Sequence, residues 1–305
     1  MTIDYIVVAG FKHDVQFTRT CVASIRHWYP HIPIYFLKDE FYGPYDTTEL
    51  ERRFGVKLFP TDRKRFNWGM GKLEPLFGGP GKRFLVLDSD IVLVGPILEQ
   101  LNQHNDDFVV QWEDPTPEFV ASNAFDVEGL KQMDPSFDFP GFTFNTGQWV
   151  GTTGIFNRKD FEHLIEWSEP PKVLHPSIFK LGEQGLLNYF LQKQSAAGRC
   201  TLRRLRFMEV PNEALVAGIK IDRLAAKQGY PFLIHWCGLR RPRFEEMYRG
   251  DILAYFESLY YQKLAFGQLV KKCRNTYRDA LRSARSFYRR LRPSGQKAIS
   301  DSRIS

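Results

Sequence analysis

The residues whose types and spacing best suit a chemical site are Asp88 and Asp90, which flank Ser89 directly after an apolar run at residues 84–87. A short apolar run that ends on acids predicts a buried strand of an α/β sheet, and ligands bind such sheets at the carboxyl ends of the strands. Two carboxylates spaced in this way can both bind one hard cation, which would then hold a diphosphate. A second apolar run at residues 91–94 favours this site over a solvated turn. Nucleotidyltransferases and phosphatases also hold metals with closely spaced aspartates.

Four further residues suit the same chemistry. Lys72 lies in a glycine-broken stretch ahead of the strand, where it would neutralise charge on a leaving group, although its position equally indicates a surface lysine. His235 ends a second apolar strand, and as a third ligand it would complete a site that two carboxylates begin. A lone histidine at the end of a strand is more often structural. Gly238, with Arg241 behind it, suits close approach to phosphates.

Amide and carboxyl side chains in the middle of the chain suit a sugar. Asn145 and Gly147 precede a predicted strand at residues 148–156, where a loop faces a cleft and an amide can bond a sugar hydroxyl. Asn and Gly also simply form turns, and this alternative stays open. Glu183 and Gln184 begin a predicted helix, whose first-turn polar groups can point into a cleft.

Glu113 and Asp114 follow a strand predicted over residues 108–112. Their carboxylates suit the hydroxyls of a sugar, but the sequence favours a solvated turn before Pro115 at this position.

The elements that must position these residues follow an α/β pattern. Strands are predicted at residues 5–9, 34–37 and 56–59, with helices between them at 16–28 and 47–54. A further helix is predicted later in the chain, over residues 159–167. This order predicts parallel strands with right-handed crossovers, and loops at their carboxyl ends form a common rim. Ala9 and Phe11 are therefore expected near Asp88, where Phe11 either stacks on a base or belongs to the core.

The composition of the 305 residues, 43% hydrophobic, is ample for a core. The N-terminal apolar run is too short for a signal peptide or a membrane span, and the four cysteines show no metal-ligand or redox spacing. Together these features predict a cytoplasmic protein.

The net charge of +7 is concentrated near the C-terminus. Residues 263–293 contain ten Lys or Arg against one acid, so the first 262 residues are mildly acidic. Apolar residues recur every three or four positions from Val270 to Leu291, which predicts a basic amphipathic helix. Such a helix suits the surface of an anionic membrane, although packing on its own domain or on a partner is the alternative. No nucleic-acid reader motif accompanies the charge, so we expect no nucleic-acid partner.

Taken in order, these motifs resemble the retaining glycosyltransferases of the glycogenin-like family 8. The likeness runs from residue 5 to about residue 245 and rests on Lys72, LDSD at 87–90, FNTG at 144–147 with EQGLLN at 183–188, and HWCGLRRP at 235–242. The resemblance implies a GT-A fold, a single Rossmann-like mixed sheet flanked by helices, with the catalytic domain over residues 1–262. A basic amphipathic helix over 263–293 and a flexible tail over 294–305 would follow. Bacterial lipooligosaccharide glycosyltransferases similar to this chain end in basic, aromatic tails.

The resemblance also implies residue roles. Asp88, Asp90 and His235 would hold Mn²⁺ or Mg²⁺ on a UDP-sugar. The catalytic residues would be Gln184, Glu183 and Lys72. The residues implied to contact the donor are Ala9, Phe11, Lys72, Asp88, Ser89, Asp90, Asn145, Gly147, Gly238 and Arg241. Glu183 stands where the family has Asp, and Arg241 stands where it has Lys.

The expected function is a metal-dependent transfer of a hexose from a UDP-sugar to a glycan or glycolipid acceptor, on an enzyme peripherally associated with an anionic membrane. A sugar-phosphate nucleotidyltransferase is one alternative, but it would need a glycine-rich, basic loop near the N-terminus that VAGFKHDVQ does not supply. A catalytically silent sugar-binding or membrane-scaffold protein of the same fold is the other.

Overall fold

The computed structural model describes residues 1–67, 69–238 and 243–291. They fall into two compact units, Met1–Glu257 and the residues from Ser258 onward. The strands are β1 Tyr5–Phe11, β2 Ile34–Asp39, β3 Val56–Leu58, β4 Arg83–Asp88, β5 Ile91–Leu93, β6 Phe108–Gln111, β7 Gln148–Thr152, β8 Ile165–Glu166, β9 Lys172–Val173, β10 Leu202–Leu205, β11 Met208–Glu209 and β12 Leu233–His235. The helices are α1 Val15–Trp28, α2 Thr48–Phe54, α3 Ile97–Leu101, α4 Pro117–Asn123, α5 Val127–Met133, α6 Glu183–Ala196, α7 Ala214–Ala217, α8 Ile221–Ala225, α9 Gly250–Gln262 and α10 Gly267–Leu291. Short 3₁₀ helices cover Lys12–Asp14, Met70–Phe77, Arg158–Phe161 and Phe244–Glu246.

A seven-stranded mixed sheet forms the centre of the first unit, in the order β10-β6-β7-β4-β1-β2-β3. β1 pairs in parallel with both β2 and β4, and β2 pairs in parallel with β3. β7 runs antiparallel to both of its neighbours, β4 and β6. The central strands are apolar on both faces because helices cover both sides, as expected of a largely parallel sheet. The predicted α/β fold with a mixed sheet is therefore confirmed.

Two smaller sheets accompany the main one. β5, which begins directly after Asp90, pairs antiparallel with β12, and β12 pairs in parallel with β11. The second small sheet joins β8 and β9. The β5–β12 pair is the important one for function, because it brings the end of β12 back to the end of β4.

Aromatic side chains fill much of the core. Trp149 of β7 lies against Phe84 of β4, with ring centroids 5.2 Å apart, and both are fully buried. Phe190 of α6 stacks on Phe161 with a centroid separation of 3.9 Å. Phe190 also packs edge-on against Phe156 at 4.9 Å, and Phe156 stacks on Phe108 of β6 at 5.8 Å, so these rings connect α6 to the sheet.

The helix expected over residues 159–167 is wrong. The segment forms one 3₁₀ turn, Arg158–Phe161, and then strand β8. Its capping box at Asn157 starts a helical turn, but Ile165 pairs with Val173 of β9 and Trp167 packs edge-on against Phe77. Tertiary pairing thus overrides the helical periodicity of the segment.

The basic segment near the C-terminus is helical, as its periodicity predicts. α10 spans 25 residues, and the described side chains of Leu269, Tyr277 and Leu281 are exposed. The expected tail over 294–305 lies outside the described residues. None of the helices in the part of the chain that the structure covers is both long and apolar enough to cross a bilayer.

Candidate active site

Two carboxylates and one imidazole converge at the carboxyl end of β4. The Nε2 atom of His235 lies 3.2 Å from Oδ1 of Asp90 and 3.9 Å from Oδ2 of Asp88. One ligand atom from each of the three residues lies within 4.8 Å of the other two. A divalent cation that accepts oxygen and nitrogen ligands, such as Mn²⁺, fits this donor set in number, type and spacing.

Strand register explains the convergence. Asp88 is the last residue of β4, and Ile91, which opens β5, pairs with His235 at the end of β12. The backbone N–H of Trp236, the residue after His235, donates to the carbonyl of Asp90 at 3.1 Å. This hydrogen bond extends the pairing of β5 and β12 by one residue. Residues 145 positions apart in the chain are therefore neighbours, and the backbone rather than the side chains holds them together.

Gly147 packs directly against the imidazole. Its carbonyl accepts the N–H of Asp88 at 2.6 Å, so the residue lies beside the aspartate pair. A Cβ at position 147 would lie 2.2 Å from Cε1 and 2.8 Å from Nδ1 of His235. Only glycine therefore leaves room for the imidazole in this position. Nδ1 of His235 is buried and makes no hydrogen bond with any described residue.

Lys72 joins this cluster from the 3₁₀ helix Met70–Phe77. Its Nζ lies 3.0 Å from Oδ1 of Asp88 and 2.6 Å from Oε1 of Glu183, and the lysine is almost fully buried. A buried lysine held by two carboxylates is a positioned cation, not the surface lysine that its place in the sequence equally allowed.

The pKa values of this group follow from burial and charge. Burial alone would lower the pKa of Lys72, but the negative charges of Asp88 and Glu183 outweigh it and raise that pKa, so the lysine stays protonated. Burial raises the pKa of the Glu183 carboxyl, and Lys72 opposes that rise. One cation between two carboxylates leaves the group an excess of acidic charge, which suits it to a further cation.

The first turn of α6 contributes Glu183 and Gln184. The hydroxyl of Thr146 donates to Oε1 of Glu183 at 3.0 Å and lies 3.5 Å from Oε1 of Gln184. The amide of Gln184 donates to the carbonyl of Asn123 at 2.7 Å. A Cβ at position 69 would lie 2.5 Å from the Glu183 carboxylate, so Gly69 leaves the room that this carboxylate occupies. The loop at 145–147 and α6 thus form one wall of the site.

The side-chain oxygen of Asn145 makes a local hydrogen bond. Its Oδ1 accepts the N–H of Gly147 at 2.7 Å, the turn that the sequence left open. The backbone N–H of Asn145 donates to the carboxyl of Glu113, which follows β6. Sequence reasoning favoured a solvated turn for Glu113, but burial raises its pKa to about 7, and His235 is close enough to oppose that rise. Its position after a strand was the signal that could have placed it here.

Three other predicted donor residues lie on β1 or between the two aspartates. Ala9 of β1 is in register with Asp88. Ser89 is buried, and its hydroxyl donates to Oδ2 of Asp14 at 3.3 Å, a contact that the sequence gave no reason to expect. Phe11 lies two residues further along β1, and its ring centroid is 5.3 Å from that of Tyr42.

The predicted phosphate loop is described in part. Gly238 has a φ of 64°, a backbone conformation that favours glycine, and a Cβ there would meet open space. Arg241 lies outside the described residues.

Comparison with known proteins places the fold. A scan with protein-family models gave no match, and a search of curated proteins also gave none. Among solved structures, the apo form of WbbM, a bifunctional glycosyltransferase, is similar with a TM-score of 0.55 at 15% identity, over 86% of this chain and 52% of WbbM. An active-site mutant of LgtC gives a TM-score of 0.49 at 14% identity, over 83% of this chain and 95% of LgtC. The glycosyltransferase GlyE of Streptococcus pneumoniae gives a TM-score of 0.45 at 14% identity, over 86% of this chain and 64% of GlyE.

The likeness to WbbM shows a shared fold. This chain spans about half the length of WbbM. This chain therefore shares the mixed α/β sheet flanked by helices with WbbM, and the expected GT-A fold is confirmed.

Proposed function

We propose that this protein is a metal-dependent retaining glycosyltransferase that transfers a hexose from a UDP-sugar to a glycan or glycolipid acceptor. The observation that carries the proposal is the convergence of Asp88, Asp90 and His235 within 4.8 Å at the carboxyl end of the sheet. Ligands bind open α/β sheets at this edge, and the fold is one that glycosyltransferases use.

Asp88, Asp90 and His235 would hold the metal, with Mn²⁺ or Mg²⁺ as the candidates. When bound, such an ion neutralises the diphosphate of the nucleotide sugar and stabilises it as a leaving group. Lys72 adds a second, permanent positive charge 3.0 Å from Asp88. Because Lys72 is buried and its position is fixed by two carboxylates, it costs little reorganisation when charge develops on the departing UDP.

The proposed transfer breaks the bond between the anomeric carbon and the β-phosphate oxygen, and forms a bond from that carbon to an acceptor hydroxyl on the same face. The acceptor proton passes to the departing phosphate oxygen, so no strong protein base is needed. Gln184 would stabilise the electron-poor sugar. Glu183 is held by Lys72 and Thr146, which supports a role in positioning and argues against a covalent intermediate on its carboxylate.

The other donor contacts follow from their positions. Ala9 and Phe11 lie at the end of β1, where a uridine would reach from the diphosphate. Ser89, Asn145, Gly147 and Gly238 would border the phosphates and the sugar, as would Arg241. Asn145 would offer its side-chain NH₂ group, because its oxygen is engaged with Gly147.

The decisive experiment incubates the purified protein with Mn²⁺ and a panel of nucleotide sugars, and follows slow release of the nucleotide in the absence of acceptor. We expect UDP from one UDP-hexose, release that stops with EDTA, and release that is about 1,000-fold slower in the Asp90→Asn variant. Pyrophosphate chemistry with a sugar phosphate and UTP would instead identify a nucleotidyltransferase. Binding of a sugar without any turnover would identify a silent protein of the same fold.

We further propose that α10 attaches the enzyme to an anionic membrane, where a glycolipid acceptor would lie. The helix bears a row of basic residues, and Tyr277 and Leu281 are exposed on its apolar stripe. Each cation near an anionic surface contributes about 1 kcal/mol.

Flotation with phosphatidylglycerol vesicles, compared with phosphatidylcholine vesicles, tests this attachment. Replacing four helix cations by Gln should abolish flotation: Lys271, Lys272, Arg274 and Arg278. A matched control replaces four exposed cations elsewhere and should float normally: Arg52, Arg53, Lys57 and Lys82. Equal flotation with both lipids, or equal loss in both variants, would contradict the membrane role.

A further inference from the structure

A cavity lies away from the candidate active site. It has a volume of about 350 Å³ and is lined in part by Tyr5, at the first residue of β1. Ala9 of the same strand is in register with Asp88, and four residues of strand separate the two ends by about 13 Å. The cavity therefore belongs to the opposite end of the strand from the metal cluster.

Aromatic rings form the walls of this cavity. Tyr35 meets Tyr5 edge-on with centroids 5.3 Å apart, and Phe59 meets Tyr35 edge-on at 6.1 Å. Phe77, at the end of the 3₁₀ helix Met70–Phe77, completes the lining. All four rings are half-buried, so they are fixed by packing and still reach the cavity. Flat, rigid rings of this kind stack on the apolar face of a sugar ring.

A buried carboxylate and a guanidinium supply the polar groups of the lining. Glu74 is 5% exposed, and its Oε2 accepts hydrogen bonds from Nη2 of Arg158 at 2.6 Å and from the Thr61 hydroxyl at 3.0 Å. Its other oxygen, Oε1, accepts no hydrogen bond from any described residue, and Nε of Arg158 donates none within the same part of the chain. Oε1 of Glu74 faces Nη1 of Arg63 at 3.8 Å, so both oxygens of this carboxylate face arginines and the polar part of the lining is fixed before any ligand binds.

The polar groups are held in place and balanced in charge. The guanidinium of Arg158 lies over the rings of Phe77 and Trp167, at 5.3 and 5.8 Å from their centroids. Asp62 lies 3.6 Å from both Arg63 and Arg158. Glu74 faces the same two arginines, so two acids balance two basic side chains. A balanced set of charges favours a neutral polar ligand over a phosphate or a cation.

We propose that this cavity is a second, non-catalytic site that binds one saccharide ring. Its volume lies in the range of small-molecule sites, and it combines aromatic walls with a few fixed polar groups. The site goes beyond the proposed transfer reaction, because it lies at the other end of β1 and requires neither metal nor nucleotide. In an enzyme that extends glycans, a second sugar site would raise the local concentration of the acceptor chain.

Saturation-transfer difference NMR on the full chain, without metal or nucleotide, tests the proposal. The probes are the methyl glycosides of glucose, galactose and N-acetylglucosamine. We expect at least one probe to bind the wild-type protein, and the Phe59→Leu variant to bind it about tenfold more weakly because a stacking face is lost. Glu74→Gln, which keeps the shape of the side chain, should weaken the same probe and serves if the first variant does not fold. Thermal unfolding followed by circular dichroism checks the fold of each variant.

The Asp88→Asn variant separates this site from the candidate active site. Binding that Asp88→Asn keeps and a folded cavity variant loses supports the proposal, whether or not the protein proves to be a transferase. Every other pattern overturns it: no probe binds, binding survives the cavity variants, or binding disappears in Asp88→Asn. Phe59→Leu should also leave metal-dependent UDP release unchanged, because Phe59 contacts none of the metal cluster.

Discussion

Replacing Gly147 by alanine should disable the metal cluster without touching a ligand. The new Cβ would lie 2.2 Å from Cε1 of His235, whereas ordinary contact begins at 3.4 Å. The imidazole would therefore have to move by about 1.2 Å, several times the tolerance of about 0.2 Å in a metal–ligand distance. His235 is only 3% exposed, so it has little room for a compensating shift.

We expect Gly147→Ala to weaken Mn²⁺ binding by about 10- to 100-fold, the usual effect of disturbing the residues that orient a ligand. The free Mn²⁺ signal in electron paramagnetic resonance measures this affinity directly and needs no knowledge of the substrate. His235→Ala should bind Mn²⁺ at least as weakly. UDP release from the correct donor should fall in parallel.

Gly79→Ala provides the matched control. A Cβ at position 79 would meet nothing within 4 Å, and the residue does not have a positive φ, so this variant should bind Mn²⁺ like the wild type. A folded Gly147→Ala protein with wild-type Mn²⁺ affinity would refute the assignment of His235 as a ligand. Equal weakening in both glycine variants would show that the effect is not specific to the imidazole.

Three further predictions follow from the same geometry. Lys72→Met removes the cation shared by Asp88 and Glu183, so the free energy of unfolding of the metal-free protein should fall by about 3 kcal/mol in urea titrations, and an unchanged value would contradict the buried ion pairs. Asp90→Asn should lower kcat/KM for UDP release by about 1,000-fold, equivalent to about 4 kcal/mol of transition-state stabilisation, whereas normal turnover would exclude a metal role for this residue. Burial raises the pKa of Glu113 from 4.5 to about 7. The folded protein therefore keeps a proton that the unfolded chain loses, and the free energy of unfolding of the metal-free protein should fall as the pH rises from about 4.5 to about 7. Glu113→Gln should make this fall smaller, and a pH profile identical to that of the wild type would show that the environment of Glu113 does not raise its pKa.

The strands and the aspartate pair were readable from the sequence for a local reason. The apolar residues of a run that ends on acids are buried as a strand, and burying unpaired acids is costly. The acids must therefore lie at the end of the strand, where they contact solvent or a ligand. The same reasoning placed the end of β12 at His235, and a helical pattern placed the start of α6 near Glu183. A helical pattern was misleading over residues 159–167, where the pairing of β8 with β9 decided the structure.

The side-chain partners were not readable in this way. The position of Lys72 in the sequence indicated a surface lysine and a site lysine equally, and Glu113 was expected in a solvated turn. Thr146 belongs to the FNTG motif, and nothing in the sequence around it indicates that its hydroxyl contacts Glu183. Such contacts join elements that are distant in the chain, so no local pattern records them.

The sequence by itself determined the α/β class, the acid-terminated strand and the basic helical segment, because strand burial and helix amphipathicity are properties of neighbouring residues. Only the tertiary structure decided that β12 returns antiparallel to β5, which brings His235 to the aspartates, and that Lys72 lies buried between Asp88 and Glu183. The physical reason is that a metal cluster and a buried ion pair depend on distances of a few ångströms between separate elements, and sheet pairing and packing set those distances.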